Sequence, residues 1–154
     1  MSKIAATVNI VNRKASFNYF ISDSWEAGIV LTGTEVKAVR EGKANLTDAY
    51  CIFIKDELWI KNLHISTYDD GGYSNHAPRR ERKLLLHRYQ LKRILAKLKE
   101  KGVTLIPLRM YIEARGIVKL ELGLARGKKM YDKRESIKDA EAKREVGRIM
   151  KKDF

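Results

Sequence analysis

Cysteine is almost absent from this chain of 154 residues. The one thiol, Cys51, has no partner for an internal disulfide, which excludes a small secreted scaffold held by cross-links. Histidine is scarce too. His64, His76 and His87 show no ligand-pair spacing, so no His/Cys metal site and no cofactor are expected. No apolar run approaches the ~18 residues a membrane span requires. The N-terminus lacks the continuous apolar stretch of a signal peptide. An apolar fraction of 44% is enough for one ordinary core and excludes a wholly disordered chain. These absences leave a small globular protein of the cytoplasm, one domain with an appended tail.

What is abundant is positive charge, 32 Lys and Arg against 19 Asp and Glu, a net +13. Its placement is uneven. Residues 1–78 hold 8 basic and 9 acidic residues, residues 79–125 hold 13 and 4, and residues 126–154 hold 11 and 6. The whole excess therefore lies in the second half. Clustered like charge opposes compaction and usually answers to a polyanion. A merely solubilising surface needs no such clustering. Membrane binding wants a basic amphipathic helix with its apolar face free, whereas the best helix here is expected to spend that face on the core. Nucleic acid is the favoured partner.

The first sixty residues read mainly as short strands. Thr7–Val11, Phe17–Ile21 and Gly28–Thr32 are β-favouring. Thr32-Gly33-Thr34-Glu35 has the spacing of a capping box opening a short helix that Gly42 can end, with Lys37 and Arg40 on one face. Ala49–Ile54 and Leu58–Ile60 form a predicted hairpin around Lys55-Asp56-Glu57, with Cys51 as a buried packing residue. Residues 66–78 are a polar loop. Leu91, Ile94, Leu95 and Leu98 fall at i, i+3, i+4 and i+7, predicting a helix closed at Gly102. Residues 79–101 around it hold ten basic residues and two acids. Val103–Leu108 returns to strand, with Pro107 marking an end, edge or bulge. Val118, Leu120, Leu122 and Leu124 alternate with Lys119, Glu121 and Gly123 in a half-buried strand. Seven or so strands with one long helix point to a mainly β fold, an OB-type closed antiparallel barrel flanked by helices.

Beyond Arg126 apolar content collapses. Helix-pair spacing (Asp139 and Lys143, Glu141 and Arg144, Glu145 and Arg148) and a small patch of Val146, Ile149 and Met150 suggest a marginal helix. The reading is a barrel domain over residues 1–130 and a basic tail over 131–154, disordered in isolation and helical when bound.

No catalytic constellation emerges. Gly123-Leu124-Ala125-Arg126-Gly127-Lys128-Lys129 invites a phosphate-loop reading. It has three residues between its glycines where that loop needs four, and it lacks the Ser/Thr for magnesium. Gly127 between Arg126, Lys128 and Lys129 better suits close approach to a phosphodiester chain. Asp69 and Asp70 on a glycine loop read as a solvated turn, with a magnesium nuclease as the rival. His64 reads as packed, while His87 abuts a basic run and can stack on a base or bond to phosphate. A non-enzymatic RNA- or DNA-binding protein is the outcome.

Several motifs occur together and in order over roughly residues 10–152. They are Asn12-Arg13-Lys14-Ala15, Tyr19, Trp25-Glu26-Ala27-Gly28-Ile29, Gly33-Thr34-Glu35-Val36-Lys37, Arg82–His87, and Gly123–Lys129 followed by Tyr131-Asp132-Lys133-Arg134. Together they closely resemble the small protein B family, the bacterial SsrA-binding proteins. Trp25 stands where that family commonly has Tyr or Phe.

The resemblance implies an OB-type barrel with a tail disordered in solution. It implies binding to the tRNA-like domain of transfer-messenger RNA (tmRNA) and delivery of that RNA to stalled ribosomes for trans-translation, with small-subunit rRNA as second partner. A monomer suits that tRNA-like role, and no membrane is involved. The RNA-facing set it implies is Asn12, Arg13, Tyr19, Glu26, Lys37, Arg40, Lys83, Leu85, His87, Lys119, Gly127, Lys128 and Lys129. For Tyr19 and Leu85 the competing reading is a place in the core. The ribosome-facing set is Tyr131, Asp132, Lys133 and Arg134 at the decoding centre, with Arg148, Ile149, Met150 and Lys151 in the empty mRNA channel. The alternative is a general ribosome-associated RNA-binding barrel without tmRNA preference.

Overall fold

A computed structural model of the chain describes residues 8–68 and 75–128, and in the tail 134, 137, 138 and 140–144. The strands are β1 (Asn9–Val11), β2 (Tyr19–Ile29), β3 (Ala44–Asn45), β4 (Tyr50–Ile54), β5 (Glu57–Lys61), β6 (His64–Ile65), β7 (Arg82–Leu85), β8 (Val103–Ile112) and β9 (Val118–Gly127). The helices are α1 (Arg13–Asn18), α2 (Gly33–Arg40) and α3 (Arg88–Leu98).

The strands close on themselves. The order β8-β4-β5-β7-β2-β9 returns to β8, and every pairing is antiparallel. Closure leaves few exposed edges to template association. The long edge of β8 away from β9 is shared: Cys51 of β4 bridges Leu105, and β1 lies against Arg109–Tyr111. The expected closed antiparallel barrel with flanking helices is what forms.

Alternation puts one face of each strand into the core. Ala27, Leu58, Ile60, Leu84, Leu105, Met110, Leu120 and Leu122 are all buried there. Each leucine or isoleucine so buried contributes about 1.5–3 kcal/mol. Helix α3 adds Ile94, with Leu91 and Leu98 partly buried beside it, so three of the four expected stripe residues face the core while Leu95 is exposed. Cys51 is buried, and burial pushes its thiol up, away from nucleophilic use.

Local chemistry sets the joints. Lys55 and Asp56 both take positive φ in the β4–β5 hairpin, the geometry of a primed two-residue turn. The register of β8 against β9 slips between Pro107 and Arg109, so of the end, edge or bulge expected at Pro107 the structure has the bulge. The bulge throws Leu108 across Gly123, where a Cβ would lie 2.8 Å from the leucine Cδ1, so only glycine fits without a shift. Two expectations change. Residues 17–18 belong to helix α1, because buried Ala15 and the 3.2 Å bond from its N–H to the Asn12 carbonyl start a helical turn there. The separate runs at 17–21 and 28–32 are replaced by the single strand β2, paired with β9 from Tyr19 to Gly28.

Candidate nucleic-acid interface

Four neighbouring strands, β7, β2, β9 and β8, share an outer face. Their inward residues include Leu84, Ala27, Leu120 and Met110. The period of two turns the intervening residues outward. The register sets Leu85 against Gly28, Gly28 against Lys119, and Lys119 against Tyr111, one row across the four strands. The next row sets Glu26 against Glu121 and Glu121 against Arg109. Gly28 has no side chain, so the row has a low floor between Leu85 and Lys119. The loop after β7 and the first turn of α3 rise beside it. The result is an open cleft of about 510 Å³ lined by Glu26, Gly28, Leu85, Leu86, His87, Tyr89, Gln90 and Lys119.

The electrostatics are specific. Glu26 and Glu121 are directly opposed like charges, an unfavourable cross-strand pair. Arg109 relieves Glu121 through a 2.6 Å ion pair and lies 4.2 Å over the Tyr111 ring. The Tyr111 hydroxyl donates to the Glu26 carboxylate. Desolvation, with the bond and charge of Glu26, pushes the Tyr111 phenol up to about 12, so it stays a donor at neutral pH. Among the described residues Glu26 has no ion-pair partner. It is exposed, oriented, and able to accept further N–H donors.

The structure thus gathers Glu26, Leu85, His87 and Lys119 from three strands and a helix start. Leu85 is 51% exposed, which settles its alternatives in favour of the surface. His87 caps α3, its N–H donating to the Gln90 side chain at 3.2 Å. Lys83, two residues from Leu85 along β7, pairs with Glu57 at 2.5 Å. Lys37 and Arg40 stand exposed on α2, with Lys37 Nζ 5.4 Å from the Tyr68 ring and Arg40 beside the β8–β9 turn at Gly116.

A second group lies at the other end of β2, where Tyr19 pairs with Gly127; the partner strand covers six residues from Gly127 to Glu121, opposite Glu26, so the two groups are roughly 20 Å apart. Tyr19 is half-buried against Ala15, Ile106 and Ala125, so it is partly core. Asn12 does not face outward. It is 7% exposed, and its amide donates to the Pro107 carbonyl at 2.9 Å and the Leu46 carbonyl at 3.3 Å. Its role here is to fasten the start of α1 to the barrel. Arg13 is exposed on α1. Lys128 sits on the body: its backbone N–H donates to the Asn18 carbonyl, its ammonium to the Ser16 carbonyl, each at 2.8 Å, and the ammonium lies 5.0 Å from the Phe20 ring.

Lys129, Tyr131, Asp132, Lys133, Arg148, Ile149, Met150 and Lys151 lie outside the described residues, as do Asp69 and Asp70. Arg134, Ile137, Lys138 and residues 140–144 have helical backbone, and all but Ala140 are exposed. Among the described residues no group of three or more His, Cys, Asp or Glu could hold a metal, and no helix is long and apolar enough to cross a membrane.

Sequence reasoning missed Gly28, Tyr89, Arg109 and Tyr111. Tyr111 carried a signal, since it alternates with buried Met110 and Ile112 and must face outward as Glu26 does. That the two meet across 85 positions was not legible.

The chain is similar to known proteins over nearly its full length. The family described as SmpB protein matches residues 9–152. An SsrA-binding protein of Cytophaga hutchinsonii is 53% identical over 147 residues, 96% of each chain. One from Moorella thermoacetica is 50% identical over 140 residues, 91% of this chain and 90% of that one. A solved structure described as "tmRNA-SmpB: a journey to the center of the bacterial ribosome" superposes with a TM-score of 0.70 at 48% identity, covering 80% of this chain and 87% of that one. By the extent of that family match and this degree of identity, the chain belongs to the SmpB protein family.

Proposed function

We propose that this protein binds the tRNA-like domain of tmRNA and delivers it to stalled ribosomes for trans-translation, acting in the cytoplasm as a monomer and without catalysis. The observation that carries the reading is the cleft that unites Glu26, Leu85, His87 and Lys119. The names of the relatives, SsrA-binding proteins, support the choice of RNA. The ribosome in the description of the solved neighbour supports the destination.

The cleft divides the work of recognition. Lys119, Lys83 and the exposed cations of α2 attract phosphate and release counterions, giving affinity without sequence preference. Glu26 repels phosphate and accepts from base N–H groups, so it rewards an RNA that presents an unpaired base edge there. Leu85 offers an apolar contact to that base, and His87 a ring to stack on. Arg13, Tyr19, Gly127, Lys128 and Lys129 form a second contact, nearer the root of the tail, with Asn12 holding its base.

In this reading residues 1–130 hold the RNA and the basic tail from 131 serves the ribosome. Tyr131 to Arg134 address the decoding centre, and Arg148 to Lys151 the mRNA channel. A basic segment enters that anionic groove only when no message fills it, so the choice of stalled ribosomes follows from steric competition.

Two experiments test this. Full-length protein is titrated with a tmRNA tRNA-like transcript against unrelated tRNA at ~150 mM salt, where nonspecific phosphate binding is weak. A clear preference for the transcript is expected; equal binding leaves only a general RNA-binding barrel. Truncation after Lys129 is expected to keep transcript binding nearly intact and to stop tagging on stalled ribosomes. Loss of RNA binding on truncation overturns the division between barrel and tail.

A further inference from the structure

Tyr89 has no packing reason to be aromatic. It is 66% exposed on the first turn of α3, on the side away from the buried Ile94. Its ring lies parallel to that of His87, with centroids 5.6 Å apart and planes within 10°. Both residues line the cleft that also holds Glu26, Leu85 and Lys119 above the bare floor at Gly28. An exposed parallel ring pair continues naturally into a further stacked ring, and aromatic faces beside cations are how proteins hold unpaired bases.

We infer that Tyr89, together with His87, is a stacking platform for an unpaired nucleobase in the Glu26 cleft, so that the cleft takes a base splayed from its strand and not duplex backbone. The inference rests on the reading of the cleft as the tmRNA contact. The His87 backbone N–H donates to the Gln90 side chain, which fixes the start of α3 from which the inner ring of the pair projects. The outer ring, Tyr89, then meets the base face, while the base edge points across Gly28 toward the Glu26 carboxylate, which Tyr111 orients. Lys119, opposite Gly28, is placed for the adjoining phosphate. A duplex offers stacked bases and a phosphate ridge, and Glu26 would meet that ridge with like charge.

Tyr89→Ala, Tyr89→Phe and Tyr89→Lys variants of the full chain, checked for an unchanged thermal midpoint, are titrated with the tRNA-like transcript and with unrelated tRNA over a range of salt. Tyr89→Ala is expected to weaken transcript binding about tenfold, to leave the salt slope unchanged, and to affect unrelated tRNA little. Tyr89→Phe is expected to stay within about twofold of the parent. Tyr89→Lys adds a charge and no ring, so it is expected to raise the salt slope without restoring the preference. Unchanged transcript binding by Tyr89→Ala, an equal loss on both RNAs, or a Tyr89→Phe defect as large as that of Tyr89→Ala overturns the stacking role while the reading of the cleft stands. A parent protein with no preference for the transcript overturns both.

Discussion

Two carboxylates show how differently one residue type is used in this barrel. Glu35, at the third position of α2, is fully buried. It accepts from the Thr32 N–H at 2.9 Å and from the guanidinium groups of Arg80 and Arg82. Arg82 is itself fully buried and donates to the Leu63 carbonyl at 2.7 Å and the Pro78 carbonyl at 3.1 Å. Burial pushes the Glu35 carboxyl up, but Arg80, the Thr32 N–H and Arg82 together outweigh it and hold the group below the usual carboxylate range. Glu26, on the outer face of β2, has one oriented bond from Tyr111 and remains exposed. The first carboxylate is saturated by its own chain and ties α2 to β7. The second is left with capacity that only a partner can use.

Removing Glu35 tests the saturated side most severely. Glu35→Ala strands two guanidinium groups, one of them wholly buried, and is expected to lower the unfolding free energy by about 3–5 kcal/mol in urea titration. A loss below about 1 kcal/mol would place the cluster outside the stabilising framework. Acid sharpens the point. The folded carboxyl sits below its unfolded value of 4.5, so its stabilisation is complete above that value and is lost as pH falls from there through the depressed folded one. Glu35→Gln is expected to remove that part of the acid dependence.

Glu26→Ala is the opposite case. Its unfolding free energy is expected to stay within about 0.5 kcal/mol of the parent, as for an exposed substitution. Transcript binding is expected to fall about tenfold, and more than binding to generic duplex RNA, because base N–H acceptance is what is removed. Equal loss on both RNAs would make Glu26 structural after all. Tyr111→Phe is smaller still. It leaves Glu26 in place but unoriented, and a three- to fivefold loss of transcript preference with unchanged salt slope is expected, the size of one ordinary net hydrogen bond of about 1 kcal/mol, since the carboxylate itself stays. If Tyr111→Phe lowers stability instead of preference, the bond serves the barrel.

Legibility followed the range of the interaction. The signals that were legible are local: the Thr32 and Glu35 capping box stands as expected, the Lys55-Asp56-Glu57 connection shortens to a Lys55-Asp56 turn, the α3 stripe holds except at the exposed Leu95, and Pro107 takes one of its three expected forms, a register shift. Helix α1 was hidden because the β-favouring Phe17 outweighs a six-residue helix held by tertiary contact: the buried Ala15 and the Lys128 bond to Ser16. Asn12 resembles a surface contact by motif, yet its two carbonyl acceptors come from Leu46 and Pro107, partners no spacing announces. The members of the cleft were mostly named from the family resemblance. That Leu85, Gly28, Lys119 and Tyr111 form one row depends on register across four strands.

The clamping of Lys128 onto the α1–β2 junction makes β2 a gauge block. In the proposed reading one end of that single strand carries the grip on the RNA, and the other carries the point from which the chain runs on toward its carboxyl terminus. Because a paired strand neither stretches nor slides without losing its register, the interval between grip and departure point is set by the polypeptide itself. In that reading, whatever the carboxyl-terminal residues touch is measured from the held RNA by a spacer of constant length, so the two ends report on each other by position alone.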